Sequence, residues 1–279
     1  MKTGLINETN AEYHGDLSAI SKSRLSKMSV CPRYFKWCEE HPEKPTPDLI
    51  FGSAFHKWVL ERESFEEEFS VVPNVDRRTK IGKETYEMFL AESEGKMIIT
   101  QEEFETIKGM CASLEENKYA KALLNGERER SMYFIDDLTG ILCKVRPDVH
   151  KAVKGGKIVI TDLKSCKSAT PEDFMKDIVK FAYDLQSYMY TTGVSKTLNV
   201  PMDDISFCFV CVEKKEPYLV AIYEITADVL NRGEMLYRKY LGQLKYCRET
   251  DNWFSYNGHT HEPMPLGLPE WANKSKTEN

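Results

Sequence analysis

Pro147-Asp148 and Asp162-Leu163-Lys164 decide how this chain folds and what it is built to hold. The first pair lies in Ile141–Val149, which reads as a strand. The second follows Lys157-Ile-Val-Ile-Thr-Asp162, a β-branched run that reads as another. On this reading Asp148 ends the second strand of the core and Asp162 ends the third. Lys164, two residues past Asp162, points to the same side of an extended chain. If the two strands are neighbours, two carboxylates and one amine converge at a sheet edge, and the Leu163 carbonyl between them offers a further oxygen. Magnesium is a hard cation that takes oxygen ligands, commonly one or two carboxylates plus substrate phosphate. A lysine beside them can orient a water or offset developing charge. Glu129, just before the first strand, can complete the acidic cluster. The competing reading of the set is a salt-bridged sheet edge.

The flanking sequence supports the strands. Ser131–Ile135 and Ile141–Val149 enclose Asp136-Asp-Leu-Thr-Gly140, a hairpin with a glycine-containing turn. Lys154-Gly-Gly-Lys157 is a second turn. Pro171 stands in the first turn of a helix expected to run to about Thr192, with Phe174, Ile178, Phe181, Leu185 and Tyr188 as its core-facing stripe. Gln186 and Tyr190 share one face of it and can reach a phosphate or hold Lys164. Strands at Ile205–Glu213 and Tyr218–Ile225 and a helix at Ala227–Arg248 follow. Upstream, helical patterns occupy Asp16–Met28, Arg33–Trp37, Leu49–Glu63, Lys83–Glu94, Thr100–Asn117 and Lys118–Leu124, interrupted by the prolines 42, 45 and 47 and by a basic loop, Asp76–Lys83. Gly52 and Ala54 are small enough for another backbone to approach. The fold class is α/β: a mixed central sheet flanked by helices, with an N-terminal helical portion. One domain is expected over 1–279, mainly helical over 1–125, an α/β catalytic core over 126–250 and a tail over 251–279.

Composition narrows the function. The chain has 279 residues, 41% hydrophobic and 29% charged, ordinary for a soluble globular protein. No apolar run approaches the ~20 residues that span a membrane, and the polar start lacks a signal-peptide core, so a cytoplasmic location is expected. A formal net charge of -6 argues against a surface coated in basic charge, but not against a nuclease with one basic channel. The eight cysteines are expected to be reduced core residues. Cys208 and Cys211 have CxxC spacing, but in a strand an offset of three puts them on opposite faces.

Taken with Gly52-x-x-x-His56 and Gln186-x-x-x-Tyr190, these residues resemble the PD-(D/E)XK nuclease superfamily in its RecB-like branch. Tyr13-His14, Leu17–Leu25, Cys31-Pro-Arg-Tyr-Phe35, Asp76-Arg-Arg-Thr-Lys80 and Cys143-Lys-Val-Arg-Pro-Asp148 are similar, in order, to the RecE (exodeoxyribonuclease VIII) C-terminal nuclease group and its phage relatives. The likeness runs from about Tyr13 to Gly193. It implies a restriction-endonuclease-like fold and a magnesium-dependent exonuclease, with manganese substituting, that acts on double-stranded DNA ends. The 5′-ended strand is digested, and the 3′ strand is left for a single-strand annealing protein in phage-type recombination. Asp148, Asp162 and the Leu163 carbonyl then bind metal, with Glu129 and His56 as additional ligands. Lys164 positions the attacking water, and Gln186 and Tyr190 orient the lysine or the scissile phosphate. A homo-oligomeric ring, trimer or tetramer, is implied, and no membrane. Tyr34, Phe35, Trp37, Phe51, Phe55 and Trp58 are candidates to bury against a neighbouring subunit. Arg77, Arg78, Lys80 and Lys83 are expected to contact the DNA backbone, with Ser23, Arg24 and Arg33 as further DNA contacts. Two alternatives stay open. One is a Cas4- or AddB-like iron–sulfur nuclease, for which Cys31-Pro32 resembles the first cysteine while the C-terminal trio is missing. The other is a non-catalytic DNA-end-binding protein of the same fold.

Overall fold

Period-two alternation along Ile205–Glu213 divides the molecule into two cores. Phe207, Phe209 and Cys211 face one, and Val210 and Val212 face the other. The computed structural model describes residues 2–260 and 262–269. Residues 270–279 of the expected tail lie outside the described residues.

In chain order the elements are β1 (Gly4–Ile6), α1 (Asn10–Gly15), α2 (Lys22–Leu25), α3 (Pro32–Glu40), α4 (Pro47–Leu60), α5 (Phe65–Glu68), β2 (Phe69–Val71), α6 (Lys80–Glu92), β3 (Met97–Ile99), α7 (Gln101–Glu116), α8 (Lys118–Leu123), β4 (Glu127–Arg128), β5 (Ser131–Ile135), β6 (Leu142–Val145), β7 (Val149–Ala152), β8 (Ile158–Cys166), α9 (Pro171–Lys180), α10 (Tyr183–Leu198), β9 (Ile205–Glu213), β10 (Val220–Glu224) and α11 (Ala227–Thr250). The central sheet has the order β10-β9-β8-β7-β4. Its β8–β9 pair is parallel and the others antiparallel, so it is a mixed sheet. A second, antiparallel sheet runs β1-β5-β6, and β2 pairs with β3 in parallel. Helices α4 and α7 cover one face of the central sheet, with Phe55, Ile107, Met110 and Leu114 against Val149, Leu163 and Val210. Helices α10 and α11 cover the other. Among the described residues no helix is long and apolar enough to cross a membrane.

Helix α10 is buried on nearly every side, because α11 and β9 pack on it and β5 and β6 pack on it as well. This explains why its sequence shows no clean apolar stripe: Gln186, Ser187 and Thr191 are as buried as Leu185 and Met189. Gly233 of α11 lets the two backbones touch. A Cβ there would stand 2.1 Å from the Asp184 carbonyl oxygen.

Several expectations are corrected. The helix from Pro171 to Thr192 is two helices, turned at Ala182, which adopts a left-handed φ of 52°. The Lys22 ammonium donates to the Phe181 carbonyl at 2.7 Å, a cation placed at the end of α9. Phe181 therefore leaves the buried stripe and is 45% exposed. The run Ile141–Val149 is two strands in two sheets, separated by Arg146-Pro147-Asp148. Asp148 precedes β7 rather than ending a strand, and Asp162 lies within β8. The helix expected at Asp16–Met28 is only α2 and a 3₁₀ turn, because Ile20 is drawn into a β-bridge with Cys143. Lys80 and Lys83 belong to α6, not to a loop. No backbone crowds Gly52, whose nearest neighbour to an added Cβ is Ser165 Oγ at 4.0 Å. Phe35, Phe51 and Phe55 are buried within their own chain, Tyr34 and Trp58 are half-buried, and only Trp37 of that set is exposed.

The α10–α11 contact gives a stability test. Gly233→Ala should cost roughly 1–3 kcal/mol or more, because backbone cannot yield as a side chain can. Gly242→Ala, on the exposed side of the same helix with nothing within 4 Å, should stabilise by up to ~1 kcal/mol through helix propensity. Urea midpoints that move equally for both would contradict the backbone contact.

Candidate active site

The chain crosses between the two sheets twice, once at Glu129-Arg130 and once at Arg146-Pro147-Asp148. Both crossings carry a site acid. They are pinned together where the Glu129 N–H donates to the Asp148 carbonyl at 3.1 Å. Glu129 holds a left-handed φ of 49°, uncommon for a residue other than glycine and a mark of local constraint.

The β7–β8 register explains the Pro-Asp pair. Val149 pairs with Thr161 and His150 with Ile160. Carried one step on, Asp148 stands opposite Asp162, and one further, Pro147 stands opposite Leu163. Proline has no N–H, so the ladder stops there. The Leu163 N–H instead donates to Asp148 Oδ2 at 2.6 Å. The Leu163 carbonyl projects from the same side of β8 and keeps a lone pair toward the site. The two aspartates are thus brought together by strands that are indeed neighbours.

His56 reaches in from α4, with Nδ1 3.4 Å from Asp148 Oδ2. One ligand atom each from His56, Glu129 and Asp148 lies within 4.8 Å of the others, the one such cluster among the described residues. Arg146 fixes Glu129: its Nε donates to Oε2 at 2.8 Å, while Nη1 donates to the Glu8 carbonyl and Ser131 Oγ, both at 3.2 Å. Asp162 is turned to other partners, Lys164 Nζ and Gln186 Nε2. Lys164 also donates to Gln186 Oε1 at 3.3 Å, so one amide spans acid and amine. The lysine ammonium lies 4.5 Å from the Tyr183 ring centre. Tyr190, one turn after Gln186, lines the same cleft, and burial holds its hydroxyl well above the usual range.

The electrostatics follow from burial. Burial, with repulsion from Asp148, pushes Glu129 up to about 7. Burial also pushes Asp162 up to about 6, against the pull of Lys164 and with the push of Asp148. Burial works the same way on Asp148, but His56, Lys164 and the Leu163 N–H outweigh it and hold it below the ordinary carboxylate range. For His56 burial opposes protonation, and Asp148 overrides it and raises the imidazole. Two carboxyls pushed up beside a third held down mark a site short of positive charge. Carboxylate oxygens, one carbonyl and one imidazole nitrogen are a donor set that fits a small divalent cation.

The cluster opens into a cleft of about 1150 Å³. His56, Glu129, Asp148, Lys164 and Tyr190 line it, whereas none of Ser23, Arg24, Arg33, Arg77, Arg78, Lys80 and Lys83 does. Arg24 is spent on Glu39 and on the Leu17 and Ala19 carbonyls. Arg33 is exposed, and its N–H donates to the Phe254 carbonyl. Arg78 forks onto Asp76, and the Arg77 guanidinium lies 4.6 Å from the Tyr86 ring centre. Sequence reasoning passed over Arg146 and Tyr183. Arg146 had one signal, a cation two residues before Asp148 in a chain whose acids needed a partner. All eight cysteines are unpaired, and among the described residues no group of them is gathered to hold a metal.

Comparison with known proteins agrees with this fold. The crystal structure of a "putative exonuclease" from Eubacterium rectale superposes with a TM-score of 0.61 at 14% identity, covering 97% of this chain and 99% of that one. It shows the shared fold. A second structure, SSO0001, aligns at 18% identity over 66% of this chain and 84% of its own, with a TM-score of 0.29 that carries no argument. No curated protein matches the chain. A family model described as a PDDEXK-like domain of unknown function (DUF3799) matches residues 21–261. That match spans most of the chain, and the chain belongs to this PDDEXK-like family.

Proposed function

We propose that this protein is a divalent-metal-dependent exonuclease that degrades the 5′-ended strand of linear double-stranded DNA. The observation that carries the reading is the cluster of His56, Glu129 and Asp148 at the cleft wall, beside the Asp162–Lys164 pair on the neighbouring strand β8. The name of the Eubacterium rectale relative points the same way. Asp148, Glu129, His56, Asp162 and the Leu163 carbonyl are the residues that would hold magnesium or manganese. Bound there, the ion supplies Lewis acidity and charge to offset the developing phosphorane. Lys164, held beside Asp162 and Gln186, would orient the attacking water. Gln186 keeps lysine and acid in reach of one another, and Tyr190 offers a protonated hydroxyl to the phosphate. A supply of 3′ single strand to an annealing protein, and a ring of three or four copies that threads the duplex, belong to the same proposal and rest on the resemblance to RecE-type nucleases.

The direct test is a linear duplex labelled at the 5′ or the 3′ end, with and without magnesium. Early loss of the 5′ label as mononucleotide, with the 3′ label retained in long strands, is expected. Cutting of closed circles, or no cutting in magnesium or manganese, contradicts it. Asp148→Ala, Asp162→Ala and Lys164→Ala should each lower the rate on the order of 10²–10³-fold or more with unchanged circular dichroism. Near-normal activity in Asp162→Ala would sink the assignment.

The raised acids set a pH dependence. The metal-free native state keeps protons on Asp162 and Glu129 up to about 6 and 7, where the unfolded chain has lost them. The native state therefore binds more protons than the unfolded one across this window, and stability falls as pH rises through it. The thermal midpoint of metal-free protein should decline between about pH 5 and 7. Saturating magnesium should abolish the decline, and Glu129→Gln should shrink it. Calorimetry in buffers of different ionisation enthalpy should show proton release on metal binding at pH 6 that fades by pH 8. A flat midpoint with no proton release would remove the charge-deficient cluster.

A further inference from the structure

The cleft has two unlike ends. At one, Lys57 is consumed by Glu68 at 2.6 Å and Glu61 at 3.2 Å. At the other, the parallel strands β8 and β9 stop side by side, with the Lys214 N–H donating to the Cys166 carbonyl at 2.9 Å. Lys167 and Lys214-Lys215 therefore leave the sheet together at its carboxyl end, where open α/β sheets place their ligands. Lys180, the last residue of α9, lines the same cleft, and so does the exposed ring of Phe181. The Lys180 ammonium is 4.9 Å from that ring centre. The acids lining this end are Asp48, paired with Lys214 at 2.9 Å, and Asp177. Lys167, Lys180 and Lys215 make no ion pair among the described residues, so this end is net positive in a chain of net charge -6.

We propose that this lip is a track for one polynucleotide strand, with Lys167, Lys180 and Lys215 on its phosphates and Phe181 as a surface on which a base stacks. The proposal rests on the nuclease reading and adds to it the side from which the strand reaches Lys164. The α9–α10 turn is what makes it possible. Continued as one helix, the chain would carry Phe181 in the buried stripe; the left-handed Ala182 delivers it to the cleft instead. Lysines on phosphates release counterions and stacking tolerates any base, so such a track binds without sequence preference.

The test is fluorescence anisotropy of a labelled single-stranded DNA oligonucleotide, with calcium in place of magnesium, over a range of salt. Lys167→Ala/Lys180→Ala/Lys215→Ala should weaken binding about tenfold or more and flatten the slope of log affinity against log salt by roughly 2. Phe181→Ala should weaken it about tenfold at unchanged slope, and Phe181→Trp should restore it. Thermal midpoints near wild type confirm folding, as expected for exposed positions. Wild-type affinity and slope in the lysine and phenylalanine variants would overturn the track. So would a loss of slope confined to a variant lacking Arg77, Arg78, Lys80 and Lys83. If wild-type protein binds and cuts DNA while the lip variants match it, only this proposal fails. If wild-type protein neither binds nor cuts, the nuclease reading fails with it.

Discussion

Carried one step past its last pair, the register of β7 on β8 brings Asp148 toward Asp162, and both carboxylates are buried. Like charges in that position repel, and burial removes the water that would screen them. The surrounding residues can be understood as partial answers to this repulsion. Lys164 and Gln186 take Asp162. His56 and the Leu163 N–H take Asp148. Arg146 takes Glu129. Even so, two of the acids hold their protons well above the ordinary range. On the proposed reading, a divalent cation would be the compact charge that relieves this crowding.

The fold keeps this costly arrangement in place from several directions. Pro147 ends the ladder and frees the Leu163 N–H for a carboxylate. The two crossings between sheets are tied by one backbone hydrogen bond, so neither acid can drift without the other. Helix α10, enclosed by α11, the central sheet and the smaller sheet, presents Gln186 and Tyr190 from a rigid support. Gly233 lets α11 lie close enough to hold that helix down. The buried polar side chains of α10 are thus required by its position between two sheets.

Much of this was legible in the residues. The β-branched runs marked β8 and β9, the Asp-x-Lys spacing put Asp162 and Lys164 on one side, and the four-residue spacing of Gln186 and Tyr190 put both on one helix face. The change of sheet at Pro147 was hidden, because the run Ile141–Val149 continues across it with no turn signal other than the Pro-Asp pair itself, and each half pairs with its own sequence neighbour, β6 with β5 and β7 with β8. The turn at Ala182 was hidden too: the residue in the left-handed conformation is neither glycine nor asparagine, and Phe181 continues the helical spacing. Charge density misled in one place. Arg77, Arg78, Lys80 and Lys83 are close in sequence but lie off the cleft, whereas Lys167, Lys180 and Lys215 are dispersed in sequence and meet only through the parallel register of β8 and β9.

Anomalous diffraction from a crystal of this protein soaked in manganese would test the central claim most directly. The expected map has a peak within bonding distance of Asp148 and Glu129, with the Asp162 carboxylate turned off Lys164 toward the ion and the Leu163 carbonyl among its ligands. A well-ordered site with no anomalous peak and the Asp162–Lys164 pair intact would contradict it, and would make the opposed aspartates a structural ion-pair network.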